Sequence, residues 1–191
     1  MRRSIPGVVV ATFLLGVVGC SDGATSTSMM TAPTSLRADR GSGDHMKVVN
    51  MFDECDPTTF NAAVGPGSCT RPAGVKFDKF VAELTQMQVA PQWHFAPDNV
   101  TLRVGDVLAS RNMGGETHTF TEVKAFGGGI VPFLNALAGT PKVAPECQAL
   151  ALSDFVAPGG MTSEVTDEAG DEMYQCCIHP WMRAVVHIAE K

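Results

Sequence analysis

The sequence predicts an all-β fold, an antiparallel sandwich with one short helix ahead of it. Three observations predict this. Short segments with period-two alternation recur through the second half of the chain: Val100, Leu102 and Val104 alternate with Thr101 and Arg103. Gly- and Pro-containing turn signals separate these segments. A 3.6-residue apolar period occurs once, at Phe77, Phe80, Val81 and Leu84. Strands divided by turns with so little helix fit two packed sheets.

The elements follow in order. Residues 47–51 form a short strand in an otherwise irregular stretch, 47–70. The helical pattern from Phe77 ends before Pro91 and reads as a packing element. The strand holding Val100, Leu102 and Val104 turns at Gly105-Asp106 into a strand at 107–110, and another spans 118–123. Residues 125–160 form a long connection rich in Gly, Pro and apolar residues. Connections of that length are functional or disordered, and the apolar content and Cys147 predict order. Pro158-Gly159-Gly160 leads into a strand at 161–165, a turn at 169–171 and a strand ending at Cys176. Ala184-Val185-Val186-His187-Ile188 is the last.

The N-terminus reads differently. Arg2 and Arg3 precede an apolar run, Ile5 to Val18, that is short for a bilayer span and reads as a signal peptide over 1–19. It closes as Val17-Val18-Gly19-Cys20, which resembles a bacterial lipobox. That resemblance implies lipidation at Cys20 and a mature chain anchored to a membrane without a transmembrane helix. Residues 20–46, rich in Ser, Thr, Gly and Ala without apolar periodicity, read as a flexible linker. Residues 47–91 are expected to form an N-terminal extension carrying the helix, and 92–191 the principal domain with 125–160 as an insertion.

Residues 1–19 hold two arginines and no acid, leaving 12 basic against 20 acidic residues and a formal charge of −8. Such a surface excludes nucleic acid, whose binding is driven by basic side chains. It favours steering towards a basic partner.

The chemistry is concentrated near the C-terminus, in Cys176-Cys177-Ile178-His179-Pro180-Trp181-Met182. Cys-x2-His-x2-Met supplies a thiolate, an imidazole and a thioether. With one more imidazole these are the donors of a mononuclear copper electron-transfer site, two His and one Cys with a weak axial Met. His118, in Gly115-Glu116-Thr117-His118, is the candidate fourth ligand. Spacing selects Cys176 over Cys177, because only Cys176 stands in the x2 relation to His179. Neighbouring side chains on an extended chain face opposite ways, so Cys177 is left for a disulfide; a vicinal Cys176–Cys177 bond would destroy the site. Cys55, Cys69, Cys147 and Cys177 then form an even set in an exported chain. They allow three pairings. Cys55–Cys69, closing a short Pro- and Gly-containing loop, and Cys147–Cys177, tying the insertion to the ligand strand, are favoured.

With these residues in order, the chain from about Gln92 to Lys191 resembles a cupredoxin, a small blue copper protein. The strand ending Val104-Gly105-Asp106, the mid-domain His118 and the C-terminal ligand loop carry the resemblance. The loop is most similar to that of amicyanin, with Tyr174, Pro180 and Arg183 in matching places. The resemblance implies a Greek-key sandwich and one copper per chain, held by His118, Cys176, His179 and Met182. It also implies single-electron exchange with a redox protein such as a cytochrome or an oxidoreductase. One departure stands out: Thr119 occupies the position where many cupredoxins carry an Asn that bonds the His loop to the Cys loop. Its hydroxyl can do part of that work.

Other candidates have plainer readings. His45 is solvated, His94 precedes the first sandwich strand, and His187 alternates with Val186 and Ile188 and so faces solvent. The scattered methionines are packing residues outside Met29-Met30. Trp181 is either core or the lining of an exit patch for electrons, and 127–134 either loop packing or a docking face. Copper delivery without a redox role is the alternative function; the four-ligand set argues against it. A copper enzyme would need His-x-His pairs for further metals, and structural zinc the usual Cys-x2–4-Cys spacing; neither is in the sequence.

Overall fold

The computed structural model describes residues 45–191. The expected signal peptide, Cys20 and the linker up to residue 44 lie outside the described residues. Ten strands and three α-helices follow: β1 (Met46–Phe52), α1 (Pro57–Ala63), α2 (Phe77–Met87), β2 (His94–Ala96), β3 (Asn99–Arg103), β4 (Val107–Asn112), β5 (His118–Thr119), β6 (Thr121–Val123), α3 (Pro132–Leu137), β7 (Phe155–Val156), β8 (Met161–Val165), β9 (Gly170–Gln175) and β10 (Arg183–Ala189). One sheet has the order β2-β1-β4-β8, the other β3-β10-β9-β6, and β5 pairs with β7 in a short ladder.

Alternation places the core. Val100 and Leu102 on β3, and Ala184, Val186 and Ile188 on β10, are buried, and the intervening residues are not. From β1 and β4 come Val49, Met51 and Leu108. Phe120 bridges them, stacked on Tyr174 at 4.4 Å between ring centroids and edge-on to Phe95 at 5.2 Å.

Three sequence expectations need correction. Each sheet contains one parallel pair, β1 with β4 and β3 with β10, so the sandwich is mixed rather than wholly antiparallel. Alternation reports which face of a strand is buried; direction follows from connections, and parallel neighbours arise from crossovers. The single expected helix is joined by α1 and α3. At seven and six residues both are too short to show a period; the trace of α1 is its start, where the Asp56 carboxylate accepts from Thr59 N (2.9 Å) ahead of Pro57. Finally, 47–91 is no appendage. β1 lies between β2 and β4, because its buried Val49 and Met51 complete that sheet's inner face.

The helices close one end of the sandwich. Phe60 of α1, Phe77 and Phe80 of α2, and Trp93 form one aromatic cluster, with the Phe80 and Trp93 centroids 4.5 Å apart. Phe80 also reaches Trp181 in the C-terminal loop, at 5.9 Å.

The insertion 125–160 is folded. Cys147 is disulfide-bonded to Cys177 and Cys55 to Cys69, the pairings favoured from sequence. Gln175 accepts from Gly127 N (2.9 Å), and Ile130 N donates to Cys177 O (2.7 Å). Gly129 passes so close to the Cys177 carbonyl that a Cβ there would overlap it. Replacing Cys147 and Cys177 by Ser together opens a closure of 30 residues. It is expected to lower unfolding stability by about 3–4 kcal/mol, read as a fall in the denaturation midpoint together with a steeper slope, because the unlinked unfolded chain exposes more surface.

Candidate metal centre

Two loops build the centre. Residues 113–120 follow β4 and carry His118 on β5; residues 176–182 connect β9 to β10. The second is a tight loop, in which Cys176 N donates to Met182 O (3.0 Å) and Met182 N to His179 O (2.9 Å). Pro180 restricts the chain after His179. The loops are tied directly: Thr119 N lies 3.4 Å from Cys176 Sγ, and Cys177 N donates to Thr119 Oγ1 at 2.7 Å. Thr119 therefore fastens the two loops with a backbone donor and a hydroxyl acceptor.

Three donor atoms converge. His118 Nδ1 and His179 Nδ1 are 3.2 Å apart, and Cys176 Sγ is 3.8 Å from each. A point equidistant from all three lies about 2.1 Å from each, close to metal–imidazole and metal–thiolate bond lengths. The donor set therefore fits a metal ion. Cys176 and His118 are fully buried and His179 nearly so. Met182 is buried in the same core cluster as Cys176. Cys176 is the free cysteine among the described residues, and Cys177, in its disulfide, takes no part.

Electrostatics explain why a thiolate is tolerated here. Burial opposes ionisation of Cys176, yet the imidazoles of His118 and His179 outweigh it and hold the thiol well below its usual pKa. The N–H groups of Thr119 and His179 also point at the sulfur, each at 3.4 Å. Burial lowers the pKa of His118, but its bonds to Asp53 and Cys176 prevail and raise it to about 9.

Two carboxylates flank the imidazoles on the side away from the convergence point. His118 Nε2 donates to Asp53 Oδ2 at 2.9 Å. Burial opposes charge on Asp53, but the bonds from His118 and from the backbone of Glu116 and Gly115 win, keeping it ionised well below the usual carboxylate range. Glu116 Oε2 accepts from Trp93 Nε1 (2.6 Å) and lies 3.6 Å from His179 Nε2. Burial pushes Glu116 upward in pKa, against the pull of His179 and Trp93. Asp53, Cys55 and Glu116 also cluster, but Cys55 is bonded to Cys69 and offers no thiolate.

The remaining histidines stay apart from the centre. His94 is exposed, with Nδ1 3.1 Å from Pro91 O and its ring stacked on Phe52. His187 Nδ1 pairs with Asp171 at 2.6 Å on the outer face of β10, and His45 is exposed. Trp181 packs against the core and sets its ring edge-on to His179, centroids 5.5 Å apart. Sequence reasoning missed Asp53 and Glu116. Glu116 has a local signal, two residues before His118; Asp53 is 65 residues from His118, and only its place after an apolar strand marks it.

No protein-family model matches the chain, and no curated protein matches it. Among solved structures it is similar in part to a purple cupredoxin from Nitrosopumilus maritimus, at 22% identity over 53% of this chain and 87% of that one, TM-score 0.39. It is also similar to amicyanin from Paracoccus versutus, at 20% identity over 50% and 72%, TM-score 0.33. What the centre can hold follows from its own donor atoms.

The Asp53 charge has a consequence for the metal-free protein. Because its pKa is depressed on folding, Asp53 contributes stability that is fully present above its ordinary value of 3.8 and lost as the pH falls below it. Denaturant unfolding of metal-free protein should show a steep loss of stability below about pH 4. The loss should be shallower in Asp53→Asn.

Proposed function

We propose that this chain is a mononuclear copper protein that carries single electrons between redox partners at a bacterial membrane surface. The observation that carries the reading is the buried convergence of Cys176 Sγ with the Nδ1 atoms of His118 and His179, with Met182 closing the same loop. Two imidazoles, one thiolate and the thioether that Met182 carries in the same loop suit copper in both oxidation states, and a bound copper would supply a one-electron couple. His118, Cys176, His179 and Met182 would hold it, one ion per chain.

Burial favours electron transfer over delivery. All three converging donors are shielded from water, and two of the loops' own hydrogen bonds lock the sulfur in place. A site that hands its metal to an acceptor needs an opening through which ligands exchange. An electron needs only a short path, and Trp181, partly exposed and in contact with His179, lies between the centre and the surface. Redox proteins, for which a cytochrome or an oxidoreductase would serve, are the partners that this chemistry calls for. Lipidation at Cys20 and the linker behind it would keep the domain at the membrane surface on the exported side.

Adding Cu(II) to the metal-free protein should produce an intense visible thiolate-to-copper absorption band. Cys176→Ser should abolish it; the paired Cys147→Ser and Cys177→Ser variant should keep it. A colourless wild-type complex contradicts the reading. For the anchor, Cys20→Ala should release the protein from the membrane fraction of expressing bacteria, and unchanged membrane association contradicts lipidation.

A further inference from the structure

We propose that Asp53 is the positioning residue for His118: its carboxylate fixes the imidazole with Nδ1 turned to the metal, and its negative charge favours the oxidised ion. This rests on the copper reading above and adds a determinant supplied by the residue that follows β1.

The geometry begins with the two nitrogens of His118. Nδ1 is at the convergence point, so in the metal-bound form the ring proton must reside on Nε2. A buried N–H requires an acceptor, and Asp53 Oδ2 provides it at 2.9 Å, with both side chains fully buried. A ligating histidine that donates its other N–H to a carboxylate is held in tautomer and orientation, and becomes a stronger donor.

Asp53 is itself built into place. Oδ1 accepts from Cys55 N (3.2 Å) and Gly115 N (3.0 Å), and Oδ2 from Glu116 N (3.0 Å) as well as from His118. Four donors on two oxygens need a carboxylate, since an amide would turn an NH2 group towards other N–H groups. Two of the donors belong to the loop that leads into His118, so Asp53 sets the course of that loop as well as the ring at its end. Space for it is reserved: a Cβ on Gly114 would overlap the Asp53 carboxylate, and one on Gly115 would meet Arg71 and Cys55. The backbone of Asp53 is anchored too, by Arg71 Nη1 donating to its carbonyl (2.7 Å) and by the adjacent Cys55–Cys69 disulfide.

Charge gives the second half of the proposal. A carboxylate in a water-excluded site acts on a nearby ion with little screening. It stabilises the more positive oxidation state, so removing the charge shifts the couple towards the reduced ion. A residue that only capped the loop would not move the couple in a set direction.

The test compares wild type with Asp53→Asn, both loaded with copper. The Cu(I)/Cu(II) equilibrium of the variant should move at least tenfold towards Cu(I), a rise in potential of about 59 mV for a one-electron couple, and Cu(II) affinity should fall by roughly 10–100-fold. An unchanged potential overturns the proposal. Wild-type protein in the Cu(I) state offers a reading that needs no variant and decides the matter if Asp53→Asn does not fold. Nitrogen-15 NMR should show a slowly exchanging His118 Nε2–H coupled to the ring, and a rapidly exchanging Nε2–H overturns the proposal. Failure of the parent reading is seen separately, as wild-type protein without the copper band.

Discussion

Cys176 Sγ is enclosed by two imidazole nitrogens and two backbone N–H groups, with no access to water. A charged sulfur in such a place is stable only while all of those partners stay where they are. Much of the surrounding architecture meets that requirement. β9 and β10 hold the ends of the 176–182 loop in an antiparallel pair, Thr119 ties the His loop across to Cys177, and the Cys147–Cys177 disulfide anchors the next residue on the opposite side. The sulfur faces the site and its neighbour faces the insertion, so one dipeptide joins two parts of the molecule.

Residues 46–93 serve the same centre from two directions. β1 brings Asp53 beneath His118, while α1, α2 and Trp93 wall off the end of the sandwich where His179 and Trp181 lie. Trp93 combines the two duties: its ring belongs to the aromatic cluster and its Nε1–H satisfies Glu116. Within this enclosure, carboxylate, imidazole and thiolate alternate from Asp53 through His118 to Cys176. Each charge has a partner, which makes burial of the row tolerable.

Local chemistry was the part of this molecule most legible in the sequence. The x2 spacing of Cys176 and His179 encodes a loop whose thiol and imidazole meet, and the period-two strands encode which faces are buried. The disulfide cysteines are legible because the spacing to His179 takes Cys176 out of the set, and the loops they close favour the observed pairing among the three possible. Strand direction is not legible, since alternation is the same in parallel and antiparallel pairs. α1 escaped notice because seven residues with one buried side chain, Phe60, carry no period. Asp53 escaped for a different reason: its role exists only after β1 has been placed beside β4, which brings residue 53 alongside 114–116.

If copper occupies this site as proposed, donors that already converge in the metal-free protein should keep their places when the ion changes oxidation state. X-ray absorption on copper-loaded protein in both states tests this most directly. The expected result is the same inner shell of two imidazole nitrogens and one short sulfur in each, with only small changes in bond length. A shell lacking the short sulfur in either state, or one that gains oxygen ligands on oxidation, would contradict it.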